Sequence, residues 1–244
     1  MTVTILITRP EPEAARFASA LRGDHGDTAN VLTAPLMHIH WTGALPALSG
    51  DETLIFTSRQ GVAGFCRLTA RRDLPCYAVG EATAQAAREA GLDATPCGGD
   101  AAALMRRLAE DGARGPFLHP RGAHVAADIA GTLRAAGHEA AEAIVYDQQP
   151  QPLDAPAHAV LAGPAPVIVP LMSPRSGQLF FAEAPAPRAP LLIAAISRAT
   201  AETVPEGAAR VLRIAEAPNA AAIRNLLRDM VKSAKRLEGG KRAQ

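Results

Sequence analysis

The sequence contains few cysteines, almost no excess charge and no long apolar N-terminal run, and each shortage excludes a class of protein. Its three cysteines, Cys66, Cys76 and Cys97, are irregularly spaced and form no C-x-x-C pair. This excludes a disulfide framework and predicts a reducing, cytoplasmic location. With 25 Lys and Arg against 24 Asp and Glu, the net charge of +1 gives no overall attraction to nucleic acid or an anionic membrane. We expect neither a signal peptide nor a membrane span.

Several motifs of nucleotide-binding proteins, hydrolases and metalloproteins are also missing. The chain has no G-x-G-x-x-G, no G-x-x-x-x-G-K-[ST] and no G-x-S-x-G. His38 and His40 share one face of a predicted strand, but no third ligand lies nearby, so we interpret them as an exposed pair. His119 and His124 flank Pro120–Gly122, and we interpret them as surface residues, with ligand contact as the alternative.

The pattern that is present is the alternation of strands and helices typical of an α/β protein. Hydrophobic residues make up 48% and charged residues 20% of the chain, as in ordinary globular proteins. Short apolar runs such as Val3–Thr8 and Leu54–Thr57 have the composition of strands covered on both faces, and helical spacing follows each. This alternation predicts parallel sheets flanked by helices. The last helix is predicted from Pro218 through the apolar stripe that starts at Ile223, and residues 233–244 are expected to form a mobile tail.

One arrangement of strand, hydroxyls and helix occurs twice. Leu54–Val62 is followed by Ala78–Ala84, and Val167–Arg175 is followed by Ile193–Ala201. The matching Ser and Thr hydroxyls are separated by 25 positions in the first copy and by 27 in the second. Two similar units predict two similar domains, which the pattern allows to be either consecutive or nested.

Polar side chains follow the ends of the predicted strands, where an open parallel sheet binds its ligands. Hydroxyls there cap helix N-termini, whose free N–H groups attract anions, and arginine recognises carboxylates and phosphates. Ordinary helix caps and solvated arginines are the alternative at any one junction, whereas repetition in both halves favours ligand binding. The junctions are Thr8-Arg9, Thr57-Ser58-Arg59, Glu81-Ala82-Thr83, Ser173-Pro174-Arg175, and Ser197-Arg198 ahead of Thr200.

Six short motifs occur in a fixed order along the chain: I-T-R-P at 7–10, F-T-S-x-x-G-V-x-x-F at 56–65, A-V-G-x-x-T-A at 78–84, V-Y at 145–146, S-P-R at 173–175 and A-I-S-x-x-T-A at 195–201. Their order resembles that of the uroporphyrinogen-III synthase family, from the first strand to the final helix. The chain departs from the family's pattern at Gln60, where Asn is commoner, and at Leu171-Met172, which replace the more usual Phe-Thr before Ser173.

The resemblance implies a cofactor-free lyase of porphyrin and heme biosynthesis. Such an enzyme cyclises hydroxymethylbilane, a linear tetrapyrrole with eight carboxylates, to uroporphyrinogen III, with inversion of ring D through a spirocyclic intermediate and loss of water. A cytoplasmic monomer in transient contact with the preceding pathway enzyme is expected, with no nucleic acid or membrane partner. A non-catalytic tetrapyrrole or carboxylate-ligand sensor is the alternative. The absence of an appended helix-turn-helix, together with Tyr146 and Thr200, favours the enzyme.

The resemblance also implies two α/β lobes with parallel sheets, joined by a two-stranded antiparallel ladder, with the ligand in the cleft. One lobe is discontinuous. The implied divisions are 1–34 plus 165–232 for the discontinuous domain, 45–142 for the inserted domain, 35–44 and 143–152 for the connecting ladder, and 233–244 for the mobile tail.

The family's motifs assign roles to particular residues. Tyr146 is expected to act as a general acid toward the departing hydroxyl group, and packing of its ring at the domain junction is the alternative. No metal ligand is expected. The substrate-binding residues implied by the motifs are Thr8, Arg9, Ser58, Thr83, Arg121, Ser173, Ser197 and Thr200.

Overall fold

The computed structural model describes residues 3–124 and 127–239, where strands and helices alternate along the chain. The strands in these ranges are β1 Val3–Ile7, β2 Ala29–Thr33, β3 Met37–Trp41, β4 Thr53–Phe56, β5 Cys76–Ala78, β6 Ala94–Pro96, β7 Phe117–Gly122, β8 Ala140–Pro150, β9 Val167–Leu171, β10 Leu191–Ala195 and β11 Val211–Ile214. The α-helices are α1 Glu13–His25, α2 Arg59–Leu68, α3 Glu81–Glu89, α4 Ala101–Glu110, α5 Ile129–Ala135, α6 Ala155–Ala162, α7 Pro174–Glu183, α8 Arg198–Ala201 and α9 Ala220–Gly239.

Five parallel strands form the first sheet, sheet A, in the order β11-β10-β9-β1-β2. Its central strands β1, β9 and β10 are buried along their whole length. Ile5 on one face packs among residues of α1 and α9, while Leu6 on the other packs among residues of α6 and α7. Because helices cover both faces, nearly every position in these strands is apolar, with the buried Thr4 of β1 as the exception.

Six strands form the second sheet, sheet B, in the order β3-β8-β7-β4-β5-β6. The pairs from β8 to β6 are parallel. β3 and β8 run antiparallel, with Thr42 N donating to Val145 O at 3.2 Å and Gln151 N donating to Leu36 O at 2.9 Å. Parallel sheets flanked by helices, with one antiparallel pair, confirm the predicted fold class.

Contacts divide the chain into two compact units, Met1–His38 with Gln149–Gln244 and Ile39–Gln148. Both boundaries fall within the strands of the antiparallel pair. β8 is longer than the Ala143–Tyr146 strand that the sequence pattern indicated, because its first part pairs with β7 and its second part with β3. The pair is therefore continuous with sheet B.

The final helix begins after Asn219, whose side-chain oxygen accepts a hydrogen bond from the Ala222 amide at 2.9 Å. It continues to Gly239, beyond the point at which the sequence pattern ended it, so residues 233–239 of the expected tail are helical. Residues 240–244 of that tail lie outside the described residues. Among the helices described, none is both long and apolar enough to cross a membrane.

Candidate active site

The carboxyl ends of the parallel strands in sheet B bring predicted site residues to one edge. Ser58 stands two positions after the end of β4, and β4 pairs in parallel with β7, which ends at Gly122. Gly122 is in turn the register partner of Tyr146, after an irregularity that follows Arg121. Ser58, Gly122 and Tyr146 are therefore neighbours in space although they are far apart in the sequence.

Ser58 and Tyr146 are joined by a hydrogen bond of 3.1 Å between Oγ and Oη. Ser58 is the N-cap of α2, and its Oγ also accepts the amide N–H of Gly61 at 3.0 Å. Tyr146 is 7% exposed, and its ring meets Trp41 edge-on with 6.3 Å between the ring centroids. A Cβ added at Gly122 would lie 2.6 Å from Cζ of Tyr146, so only glycine leaves room for the phenol ring.

A buried histidine lies next to this hydrogen-bonded pair in the sheet. His119 is 1% exposed, and its Nε2 is 3.2 Å from Thr57 Oγ1. Burial lowers the pKa of His119 to about 4, so its ring is neutral at pH 7. The interpretation of His119 as a surface residue was wrong, because His119 lies within strand β7 and is buried in sheet B. His124 is exposed, with Nε2 3.7 Å from Asp147 Oδ1.

Arg121 is held by groups of its own unit. Its Nη2 lies 2.8 Å from Glu142 Oε2, and its Nη1 donates to the carbonyl oxygen of Gly122 at 2.8 Å. A second oxygen of Glu142 lies 4.0 Å from His119 Nδ1, too far for a hydrogen bond. Glu142 therefore balances the Arg121 charge, and any substrate carboxylate would compete with it.

Thr83 lies in the first turn of α3, which begins at the same edge of sheet B. Gly80 is the N-cap, its carbonyl accepts the Thr83 amide at 3.0 Å, and Thr83 is 7% exposed. Arg59 at the start of α2 donates from Nε to the carbonyl of Ala82 at 3.0 Å. This bond ties together the beginnings of the two helices that follow β4 and β5.

The corresponding edge of sheet A contains the serines of the second repeat. Leu171 and Ala195, the last residues of β9 and β10, are register partners, and Ser173 and Ser197 each follow two positions later. Ser173 forms a capping box with Ser176, with both bonds at 3.1 Å. Ser197 accepts the Thr200 amide at 3.3 Å, so both serines act as helix caps.

Two threonines at this edge are more buried than the serines. Thr8, directly after β1, is 1% exposed, and its Oγ1 has no hydrogen-bond partner in the described part of the chain. Thr200 is fully buried, and its Oγ1 lies 3.1 Å from Ser197 Oγ. The guanidinium of Arg9 lies over the Phe17 ring at 5.7 Å from its centroid.

The structure thus divides the predicted site residues between two sheet edges. Ser58, Thr83, Arg121 and Tyr146 lie at the edge of sheet B, and Thr8, Arg9, Ser173, Ser197 and Thr200 lie at the edge of sheet A. Sequence analysis missed the contacts of Tyr146 with Trp41 and Gly122, and it missed the buried contact between His119 and Thr57. Within residues 3–124 and 127–239, no cluster of His, Cys, Asp and Glu side chains could hold a metal ion.

Comparisons with known proteins agree with this fold. The family model described as uroporphyrinogen-III synthase HemD matches residues 16–224. The uroporphyrinogen-III synthetase of Helicobacter pylori has a similar fold, with a TM-score of 0.68 and 15% identity over 94% of this chain and 100% of that one. A mutant uroporphyrinogen III synthase of the extremely thermophilic bacterium Thermus thermophilus gives a TM-score of 0.54 and 15% identity over 95% of this chain and 100% of that one. No curated protein sequence matches the chain.

The family match covers most of the chain and contains five of the six motifs. The remaining motif, I-T-R-P at 7–10, precedes the matched residues. It supports the predicted enzyme and its place in porphyrin and heme biosynthesis, and nothing favours the sensor alternative. The chain therefore belongs to the uroporphyrinogen-III synthase family, and it is an enzyme of the cyclising lyase type.

Proposed function

We propose that this chain cyclises hydroxymethylbilane to uroporphyrinogen III with Tyr146 as the general acid. The observation that carries this assignment is the buried phenol of Tyr146, which lies at the carboxyl edge of sheet B within 3.1 Å of the Ser58 hydroxyl. The neighbouring His119 is less suited to the role, because burial lowers its pKa to about 4 and its ring is neutral at pH 7, with no acidic proton to give.

The proposed acid step breaks the bond between carbon and oxygen in the hydroxymethyl group. The electron pair of that bond stays with the oxygen, which takes the proton of the Tyr146 phenol and leaves as water. The adjacent pyrrole nitrogen stabilises the electron-deficient methylene carbon that remains. The proton lost from a pyrrole carbon at ring closure restores the phenol. General-acid help of this kind contributes on the order of 10²–10⁴-fold to a rate.

Binding has to impose one folded conformation on a flexible molecule that carries eight carboxylates. Amide N–H groups at the starts of α2 and α3 offer anion contacts, which suits a chain with a net charge of only +1. Positioning of reacting groups supplies roughly 7–11 kcal/mol in well-oriented reactions. Ser58 Oγ already contacts Gly61 and Tyr146. The remaining proposed substrate contacts are Thr8, Arg9, Thr83, Arg121, Ser173, Ser197 and Thr200.

The direct test is to incubate the protein with freshly generated hydroxymethylbilane and to separate the product isomers. Without an enzyme the substrate closes to the isomer in which ring D is not inverted, so a dominant type III product shows catalysis. Binding of the substrate without any type III product would instead favour the sensor. A heat-denatured sample of the same protein measures the unaided reaction.

We also propose that the two compact units act as a discontinuous and an inserted domain of a cytoplasmic monomer. The proposed connecting segments are 35–44 and 143–152, and the preceding pathway enzyme is a transient partner. The boundaries between the compact units, within β3 and β8, support this division. Light scattering during gel filtration tests the monomer, and a dimer mass at micromolar concentration would exclude it.

A further inference from the structure

We propose that Ser58 is a positioning residue that sets the direction of the Tyr146 hydroxyl group. This inference rests on the proposed role of Tyr146 as the acid, and it gives Ser58 a role other than the substrate contact that the family's motif implies. The evidence is the pair of hydrogen bonds at Ser58 Oγ, together with the groups that confine the Tyr146 ring.

The bond from the Gly61 amide favours Ser58 as the donor to Tyr146, although the second lone pair of Ser58 Oγ also allows the opposite direction. A serine hydroxyl has one proton to donate and two lone pairs to accept with. Ser58 Oγ accepts the Gly61 amide at 3.0 Å, so its single O–H is available for Tyr146 Oη at 3.1 Å. A chain from the Gly61 amide through Ser58 to Tyr146 is cooperative, because each bond polarises the next. Ser58 is therefore the better donor of the pair.

This direction of donation suits an acid. When Ser58 donates, the phenol of Tyr146 does not use its own proton in the bond to Ser58. After proton transfer, the phenolate retains a hydrogen bond that favours its charged form. Ser58 is also the N-cap of the ten-residue helix α2, whose N-terminal dipole stabilises a nearby negative charge. Ser58 thereby aids both the orientation of the acid and the stability of its conjugate base.

The Ser58 hydroxyl and the Tyr146 ring are both held in fixed places. Ser58 has extended backbone angles, φ −150° and ψ 154°, and its side chain is anchored by the Gly61 amide. The Tyr146 ring lies against the backbone of Gly122 on one side and the edge of Trp41 on another. The Oη atom therefore meets Ser58 without reorganisation of either residue.

A spectroscopic titration without substrate tests the inference on its own. The chain has one tryptophan and two tyrosines, so in a Tyr77→Phe background the fluorescence of Trp41 reports ionisation of Tyr146, since tyrosinate quenches it by energy transfer. Ser58→Ala should move the quenching midpoint to higher pH by roughly 0.5–1 unit, the equivalent of one hydrogen bond. Ser58→Thr, which keeps the hydroxyl, should restore the midpoint.

A matched control separates the hydroxyl from the helix cap. Asp100 caps α4, which has ten residues like α2 and lies in the same unit, and its carboxylate accepts the Ala103 amide at 2.7 Å. Asp100→Ala should leave the pH midpoint of the Trp41 fluorescence quenching unchanged. An unshifted midpoint in Ser58→Ala, or an equal shift in Asp100→Ala, would overturn the inference.

A double-mutant cycle tests the same idea by activity. Ser58→Ala should lower kcat by roughly 2- to 12-fold, the equivalent of one hydrogen bond, with KM unchanged. In a Tyr146→Phe background, Ser58→Ala should lower kcat less than about 2-fold, because the Tyr146 hydroxyl group through which Ser58 acts is absent. A raised KM in both backgrounds would make Ser58 a substrate contact and refute the proposal. Absence of type III product from the wild-type protein would refute the proposed function, while the titration would still decide the role of Ser58.

Discussion

The Tyr146→Phe variant gives the sharpest test of the active site, because it removes one oxygen atom and keeps the ring. Unaided ring closure of this substrate is feasible, so the proposed acid would accelerate the reaction without being indispensable. We expect kcat to fall by roughly 10- to 10³-fold, at or below the usual range for a general acid. KM should change little, since the phenol acts on the departing group.

The structure also indicates how much stability the Tyr146→Phe variant should lose. Phenylalanine keeps the contacts with Trp41 and Gly122 but loses the hydrogen bond to Ser58, whose net value is about 0.5–1.5 kcal/mol. For a chain of 244 residues this lowers Tm by roughly 1–6 °C.

Stopped-flow kinetics with fresh hydroxymethylbilane, followed by isomer separation, measures kcat, KM and the type III fraction. Tyr77→Phe is the matched control, because Tyr77 bonds to Asp111 in an exposed part of the same unit. A Tyr146→Phe enzyme within about twofold of wild-type kcat would assign the residue to packing alone.

Three further changes probe binding, geometry and stability. Thr83→Ala should raise KM by roughly 2- to 12-fold with little loss of kcat, as expected for one hydrogen bond among many, and complete loss of binding in a folded variant would contradict distributed contacts. Gly122→Ala should cut kcat at least about 10-fold, because its Cβ would lie 2.6 Å from the Tyr146 ring, whereas Gly23→Ala, with open space around it, should not. Two arginines of α9 hold the pKa of Asp24 far below its usual range, so the carboxylate stabilises the fold above about pH 4 and loses this contribution in acid. Asp24→Asn should have a lower Tm than the wild type at pH 7, and this difference in Tm should be smaller near pH 2. An equal difference in Tm at both pH values would refute the linkage.

Part of this architecture was predictable from the sequence because it depends on local patterns. Strands buried on both faces are mostly apolar, which made β1, β4 and β9 visible as nearly continuous hydrophobic runs. Hydroxyls at the starts of helices were visible because Ser and Thr cap free amides, as Ser58 and Ser173 do here. The order of short motifs was sufficient to indicate the family.

Only the tertiary structure decided which side chains meet. Ser58 and Tyr146 are 88 positions apart, and Thr57 and His119 are 62 apart, so no local pattern specifies either contact. These neighbours follow from the order and register of sheet B, in which β7 lies between β4 and β8. The same order buried His119, and pairing with β3 extended β8 through Pro150. Propensity acts over a few residues, whereas hydrogen-bond partners across a sheet are set by long-range strand pairing, so the sequence determined the elements and the sheet determined the site.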